Sequence, residues 1–126
     1  LNVNGVRIGT SEIYRTLQDV PYILGCAAVE RRSAQGSQIV LFLELDESHV
    51  LTVDMEESLR RIIRNEASAR HVPTSIYQVP ALPRSSNGKV SEAAIRDVVN
   101  GSTVRNMAGL LNAHVLESFR QYTAAP

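Results

Sequence analysis

Tryptophan is absent from these 126 residues, and cysteine and lysine occur once each. Each scarcity closes a route to function. Cys26 has no partner for an internal disulfide, so an apolar core must hold the fold, and a cytoplasmic setting is the default expectation. Aromatic residues make up 5% of the chain, and 13 basic side chains balance 13 acidic ones. Stacking on RNA and general binding of polyanions therefore have little to work with, and no nucleic-acid partner is expected. No apolar run approaches the roughly 18 residues of a membrane span, nothing resembles a signal peptide, and no membrane partner is expected. His49, His71, His114 and Cys26 share no spacing that would converge on one ion, so no metal site is expected. A Gly-x-Ser-x-Gly elbow, a Gly-x-Gly-x-x-Gly turn and a P-loop are all missing, which leaves hydrolase chemistry and stand-alone nucleotide binding without a motif. The first residue is Leu1 rather than methionine, and the chain is expected to be an excised piece or a processed product.

What is present is enough for one domain over residues 1–126. Apolar residues are 44% and charged residues 21% of the chain, the composition of a globular domain with a single core. Asn2 to Ile8 alternates around Asn4-Gly5, which predicts a small β-hairpin. Thr10 offers an N-cap oxygen, and Ile13, Leu17 and Val20 follow at helical spacing, predicting a helix from about Ser11 to Asp19. Leu24–Val29 and Gln38–Leu45 read as two paired strands, with the turn over Ser33-Ala34-Gln35-Gly36-Ser37. Met55, Leu59, Ile62 and Ile63 form the apolar stripe of an amphipathic helix. Ser75 to Val79 alternates as a strand, after which Pro80 and Pro83 open a loop. Ser91 caps a helix carrying Ile95, Val98 and Val99 that closes at Asn100-Gly101. Leu110, Leu111, Val115, Leu116 and Phe119 place a last helix before a frayed Ala-Ala-Pro end. The expected fold is α+β: an N-terminal hairpin, a sheet of about three strands, and covering helices.

Of the 13 basic residues, 12 are arginine, and the lone lysine, Lys89, lies in the flexible turn Ser86-Asn87-Gly88-Lys89. A compact ammonium on a long stem can reach a reacting oxygen as a point charge, which a planar guanidinium does poorly. Read alone, the plainer reading is that an arginine-rich composition left one lysine in a loop by chance.

Two segments read together decide between these. Gly5-Val6-Arg7-Ile8-Gly9-Thr10-Ser11-Glu12-Ile13 resembles the segment that follows the hinge in acyl-CoA synthetases and other adenylate-forming enzymes. Pro83-Arg84-Ser85-Ser86-Asn87-Gly88-Lys89 resembles that superfamily's catalytic-lysine motif, at the expected separation. Ser68-Ala69-Arg70-His71-Val72-Pro73, Glu92, Asn100-Gly101 and the tail with Asn112, Leu116 and Phe119 are similar to the acetoacetyl-CoA synthetase branch. The resemblance covers the whole chain and identifies it as a C-terminal domain starting just past the hinge, with its large N-terminal domain absent.

The resemblance implies a mobile lid in a two-step ligase that consumes ATP, with Mg2+ accompanying the nucleotide, and coenzyme A. Acetoacetate is the short acyl substrate expected from the branch, and the domain's own N-terminal partner would hold the acyl pocket. By itself the domain is expected to be inactive and to bind no cofactor. Lys89 is implied as the catalytic residue of adenylation. Asn4 and Gly5 match the loop beside the pantetheine tunnel, though an Asn-Gly pair also makes an ordinary turn. Arg7 matches a phosphate-contacting arginine of the ATP site, where a surface ion pair is the plain alternative. Arg64 matches an arginine near the coenzyme A nucleotide, where simple solvation of a polar helix face competes. Ser85 and Asn87 depart from the wider superfamily's threonine and serine, and Glu92 from a commonly basic position. The last two departures fit the acetoacetyl branch. An exposed lone lysine is also a target for a lysine acetyltransferase, which would remove the charge. The competing readings are a noncatalytic α+β module that docks a protein, and an adenylation domain that loads a carrier protein instead of free coenzyme A.

Overall fold

In the computed structural model, residues 1–3 and 5–124 are described. The opening alternation folds back on itself as β1 (Asn2–Val3) paired antiparallel with β2 (Val6–Arg7). Gly5 sits at φ +82°, a left-handed conformation that side-chain-bearing residues avoid. Helix α1 spans Thr10–Leu17 and buries Ile13, Thr16 and Leu17. Its N-cap position is Gly9, with no side-chain cap, so Thr10 is the first helical residue and not the capping oxygen expected from the sequence.

Strands β3 (Ile23–Ser33) and β4 (Gly36–Leu45) form a long antiparallel ladder. The ladder overrides the expected boundary at Val29, because Glu30, Arg31 and Arg32 pair with Ile39, Gln38 and Ser37. The turn shrinks accordingly to Ala34-Gln35, with Gly36 at φ +109°. Helix α2 (Val53–Glu66) starts on the Thr52 hydroxyl, which accepts from the Met55 N–H at 3.1 Å. It crosses back to β5 (Ser75–Gln78), which lies parallel to β4 and gives the sheet order β3-β4-β5. Such a parallel return needs a crossover connection, and α2 supplies it. Helix α3 (Glu92–Val99) begins at Ser91, whose hydroxyl accepts from the Ala94 N–H at 3.3 Å, and ends at Asn100 with Gly101 at φ +71°.

The tail is helical, as its spacing predicts, but of the 3₁₀ kind over Ala113–Tyr122. Leu116 and Phe119, three apart, are both buried, and an i, i+3 repeat satisfies the tighter helix as well as the α-helix.

The five-residue apolar run Ile39 to Leu43 has no polar face because both faces of β4 are covered. Ile39, Leu41, Leu43 and Leu45 pack with Ala28 and Ile76 beneath Ile13, Leu17, Leu59 and Ile63 of α1 and α2. Val40 and Phe42 pack with Ala27 and Val29 beneath Ile95, Val98 and Val99 of α3 and Leu116 and Phe119 of the tail. The Phe119 ring meets Phe42 edge-on at 4.9 Å, and burying each such side chain is worth about 1.5–3 kcal/mol. One sheet thus divides two cores.

Candidate functional site

The loop carrying Lys89 is a hydrogen-bonded hairpin, not the flexible turn expected from its composition. The Ser85 N–H donates to the Lys89 carbonyl at 2.8 Å, the Gly88 N–H to Ser85 at 2.8 Å, and the Ser91 N–H to Pro83 at 2.9 Å. Gly88, at φ +82°, makes this closure possible. The tail braces the outer side: the Ser86 N–H donates to Gly109 at 3.1 Å, and the Leu111 N–H to Arg84 at 2.8 Å. Asn112 clasps both ends of the approach, accepting from the Arg84 N–H at 2.8 Å and donating to the Leu82 carbonyl at 3.0 Å. Within the turn the Ser85 hydroxyl donates to the Asn87 side-chain oxygen, and the Arg84 guanidinium donates to the Gly88 carbonyl at 3.1 Å. The Lys89 side chain stands exposed, with no hydrogen bond or ion pair among the described residues. A fixed backbone therefore presents a free ammonium.

On the β3 edge, a cleft of ≈450 Å³ is lined by Gly5, Arg7, Thr10, Glu30, Glu92 and Arg96, together with the first two residues. The structure thus brings Gly5 and Arg7 together. Arg64, exposed in the last turn of α2, and Lys89 do not line this cleft. Asn4, the other residue matched to the coenzyme A site, lies outside the described residues.

Tyr14 holds one residue of the cleft wall, Glu92. Its hydroxyl accepts from the Ala28 N–H of β3 at 2.9 Å and donates to the Glu92 carboxylate, so it links α1 to α3 around the sheet edge. Burial, chiefly, holds the Tyr14 phenol far above its usual range, and it stays neutral. Cys26, next to this join, is pushed up to about 11 by burial and by the nearby Glu92 charge. At neutral pH it is an inert thiol.

No group of three or more His, Cys, Asp and Glu side chains among the described residues could hold a metal. His71 instead ties α1 to the turn after α2, pairing with Glu12 at 2.7 Å while its other ring nitrogen meets the Ser68 hydroxyl at 2.6 Å. Sequence reasoning singled out neither Tyr14 nor Arg96, and it noted Asn112 and Glu92 only as branch-like residues. No local spacing announces these contacts, because Tyr14 meets Glu92 across 78 positions and Asn112 meets Arg84 across 28.

No family model matches the chain. It is 36% identical over 124 residues to an acetoacetyl-CoA synthetase of Caenorhabditis elegans, covering 97% of this chain and 18% of that protein. It is 37% identical over 119 residues to an acetoacetyl-coenzyme A synthetase of Rhizobium meliloti, covering 94% of this chain and 18% of that protein. Among solved structures, acetoacetyl-CoA synthetase from Streptomyces lividans superposes with a TM-score of 0.83 at 24% identity over 96% of this chain and 19% of the other, a likeness of fold. An acyl-CoA synthetase of Brucella canis superposes with a TM-score of 0.69 at 25% identity over 76% of this chain and 18% of the other. The chain spans 18% of the length of the curated relatives it matches.

Proposed function

Because this chain is a C-terminal domain of an acyl-CoA synthetase of the acetoacetyl-CoA synthetase kind, we propose that it supplies the adenylation lysine and part of the coenzyme A site of an ATP-dependent acid–thiol ligase. In the first step a carboxylate oxygen attacks the α-phosphorus of ATP; the acyl–O–P bond forms, the bond to the β-phosphate oxygen breaks, and pyrophosphate leaves. In the second, the sulfur of coenzyme A attacks the acyl carbon and AMP departs with the bonding pair. Acetoacetate is the acyl substrate that the relatives' names suggest.

The observation that carries this reading is Lys89: an exposed, unpaired ammonium on a hydrogen-bonded backbone. Two anions, a carboxylate and a polyphosphate, must meet in the first step. A cation placed between their oxygens offsets the repulsion and stabilises charge that develops on the α-phosphate. Arg7 takes a nucleotide phosphate, for which its forked donors suit. Gly5, with Asn4, borders the pantetheine arm, and Arg64 meets the nucleotide end of coenzyme A. The domain acts as a mobile lid on its own N-terminal domain, showing the Lys89 face for adenylation and the hairpin face for thioester formation. Magnesium belongs to the ATP-bound enzyme; the described residues offer it no ligand set, and no step here passes through it. Acetylation of Lys89 by an acetyltransferase would switch adenylation off by removing the charge. Mass spectrometry after incubation with acetyl-CoA and such an enzyme tests this, and an unmodified Lys89 beside an acetylated control synthetase rejects it.

The main test uses the full-length enzyme. Lys89→Ala should lower acetoacetate-dependent pyrophosphate exchange by about 10²–10³-fold. Thioester formation from supplied acyl-adenylate should change little, and equal exchange rates in wild type and variant would reject the assignment.

A further inference from the structure

Two arginines line the cleft on the β3 edge, Arg7 from β2 and Arg96 from α3. Neither has an ion pair or a side-chain hydrogen bond among the described residues. That is unexpected for Arg96, because Glu92 lies one turn earlier on the same helix, and Glu–Arg at i, i+4 is a pairing that helices form readily. Tyr14 prevents it: its hydroxyl donates to the Glu92 carboxylate and holds that group toward α1. The other acid on the cleft wall, Glu30, accepts from the Ser37 hydroxyl at 2.7 Å. Both carboxylates are thus engaged by hydroxyl donors, while both arginines keep their planar forks free. Gly5, beside them, leaves the approach open, with no atom within 4 Å of where a Cβ would stand.

We propose that Arg96 and Arg7 form a two-arginine clamp for a phosphate group in this cleft, with Tyr14 acting as the positioning residue that keeps Arg96 available. The proposal rests on the ligase reading only for the identity of the phosphate, which belongs to one of the two phosphate-bearing substrates, ATP or coenzyme A. Two forked donors from separate elements suit a dianion better than one, since each can bond two of its oxygens.

Inorganic pyrophosphate is the probe. Titrated into the full-length enzyme with 15N-labelled arginine, it should shift the Arg7 and Arg96 Nε–H signals together, with one saturation curve. Arg96→Gln should weaken that binding by about tenfold, the loss of a charge-assisted contact, and Arg96→Lys by less. Arg15→Gln, which changes an exposed arginine outside the cleft, should leave it unaltered. Tyr14→Phe should weaken pyrophosphate binding while Arg96 is still present, and have no further effect in the Arg96→Gln background. In the full-length enzyme, Arg96→Gln should raise KM with kcat held: a rise for ATP in the exchange reaction assigns the phosphate to the nucleotide, and a rise for coenzyme A in the thioester reaction assigns it there. An Arg96 signal that stays still while Arg7 moves, wild-type pyrophosphate affinity in Arg96→Gln, or unchanged KM for both substrates overturns the clamp. None of these results touches the Lys89→Ala test, so the clamp can fail while the ligase reading stands.

Discussion

Replacing Asn112 by alanine removes both hands of the clasp that holds the entrance to the Lys89 loop. The Arg84 N–H loses its acceptor at 2.8 Å, and the Leu82 carbonyl loses its donor at 3.0 Å. Each such bond is worth about 1 kcal/mol net, and a buried partner left unsatisfied costs more. Leu82 is fully buried, but Arg84 and Asn112 are half-exposed, so water recovers part of the loss. The expected destabilisation is about 1–2 kcal/mol, or a fall in Tm of about 5 °C for a domain of this size. The loss should also be local. Leu111 donates to the Arg84 carbonyl from the residue next to Asn112, so amide exchange at Arg84 and Leu111 should rise by about tenfold per 1.4 kcal/mol of lost protection, while Leu41 and Val40 in the central strand should not change. Asn112→Asp provides the control: it keeps an acceptor for Arg84 but sets a second oxygen against the Leu82 carbonyl, and should destabilise at least as much as alanine. Denaturant melts and hydrogen exchange on the wild-type chain and both variants measure this. A fall in Tm below about 1 °C with unchanged Arg84 exchange would refute the clasp, since so small a shift corresponds to less than one net hydrogen bond.

Cys26 should react slowly with iodoacetamide in the folded chain at pH 8, and at the rate of an ordinary thiol once unfolded, because burial and Glu92 hold it protonated up to about 11. The folded state binds this proton more tightly than the unfolded state, whose thiol has the ordinary value of 9.0. The stabilisation is therefore complete below pH 9.0 and is lost as the pH climbs toward about 11, and Cys26→Ala should flatten the alkaline limb by about 2.7 kcal/mol; an unchanged limb refutes the assignment. Gly88→Ala meets no atom within 4 Å but places a side chain at φ +82°, so it should cost about 1 kcal/mol by backbone strain alone. A neutral result in denaturant melts would mean that the turn at Gly88 relaxes freely.

The elements whose pattern is local were legible. The stripe of α2, the apolar run of β4 and the Asn-Gly hairpin each follow from side chains a few positions apart, and Lys89 stood out because no other lysine competes with it. What escaped was set by partners distant in sequence. Glu30-Arg31-Arg32 reads as the polar end of the first strand, beyond its paired residues, yet Arg31 is buried, donating to the Tyr77 hydroxyl at 3.1 Å and the Tyr122 carbonyl at 3.0 Å. No pattern in a window of ten residues reveals that a charged side chain has neutral acceptors waiting on another strand and on the tail. The same holds for the lysine loop. Serine, asparagine and glycine read as flexible because they favour turns, but the bonds from Asn112, Gly109 and Leu111 that fix this one come from the far end of the chain.

The division between fixed and free atoms bears on how the proposed lid would act. A lysine delivered by a moving body reaches its place only as accurately as the backbone beneath it is held, and every residue left loose must be ordered during the reaction at about 1–2 kcal/mol of backbone entropy. Here that ordering is complete before any substrate arrives. The loop is laced to itself and to the tail, and Gly25 lets its approach close on β3, because a Cβ there would stand 3.2 Å from both the Arg84 guanidinium and the Leu82 side chain. From that loop the chain runs directly into α3, whose first residue is held to α1 by Tyr14. The lysine turn and the α3 wall of the cleft, Glu92 and Arg96, thus belong to one stretch of fixed backbone, residues 84–96, and cannot shift independently without breaking those bonds. In the proposed role only the Lys89 side chain remains to be ordered, at a cost of about 2 kcal/mol, which is less than the 2.7–4 kcal/mol or so that one well-placed charge contributes in a transition state.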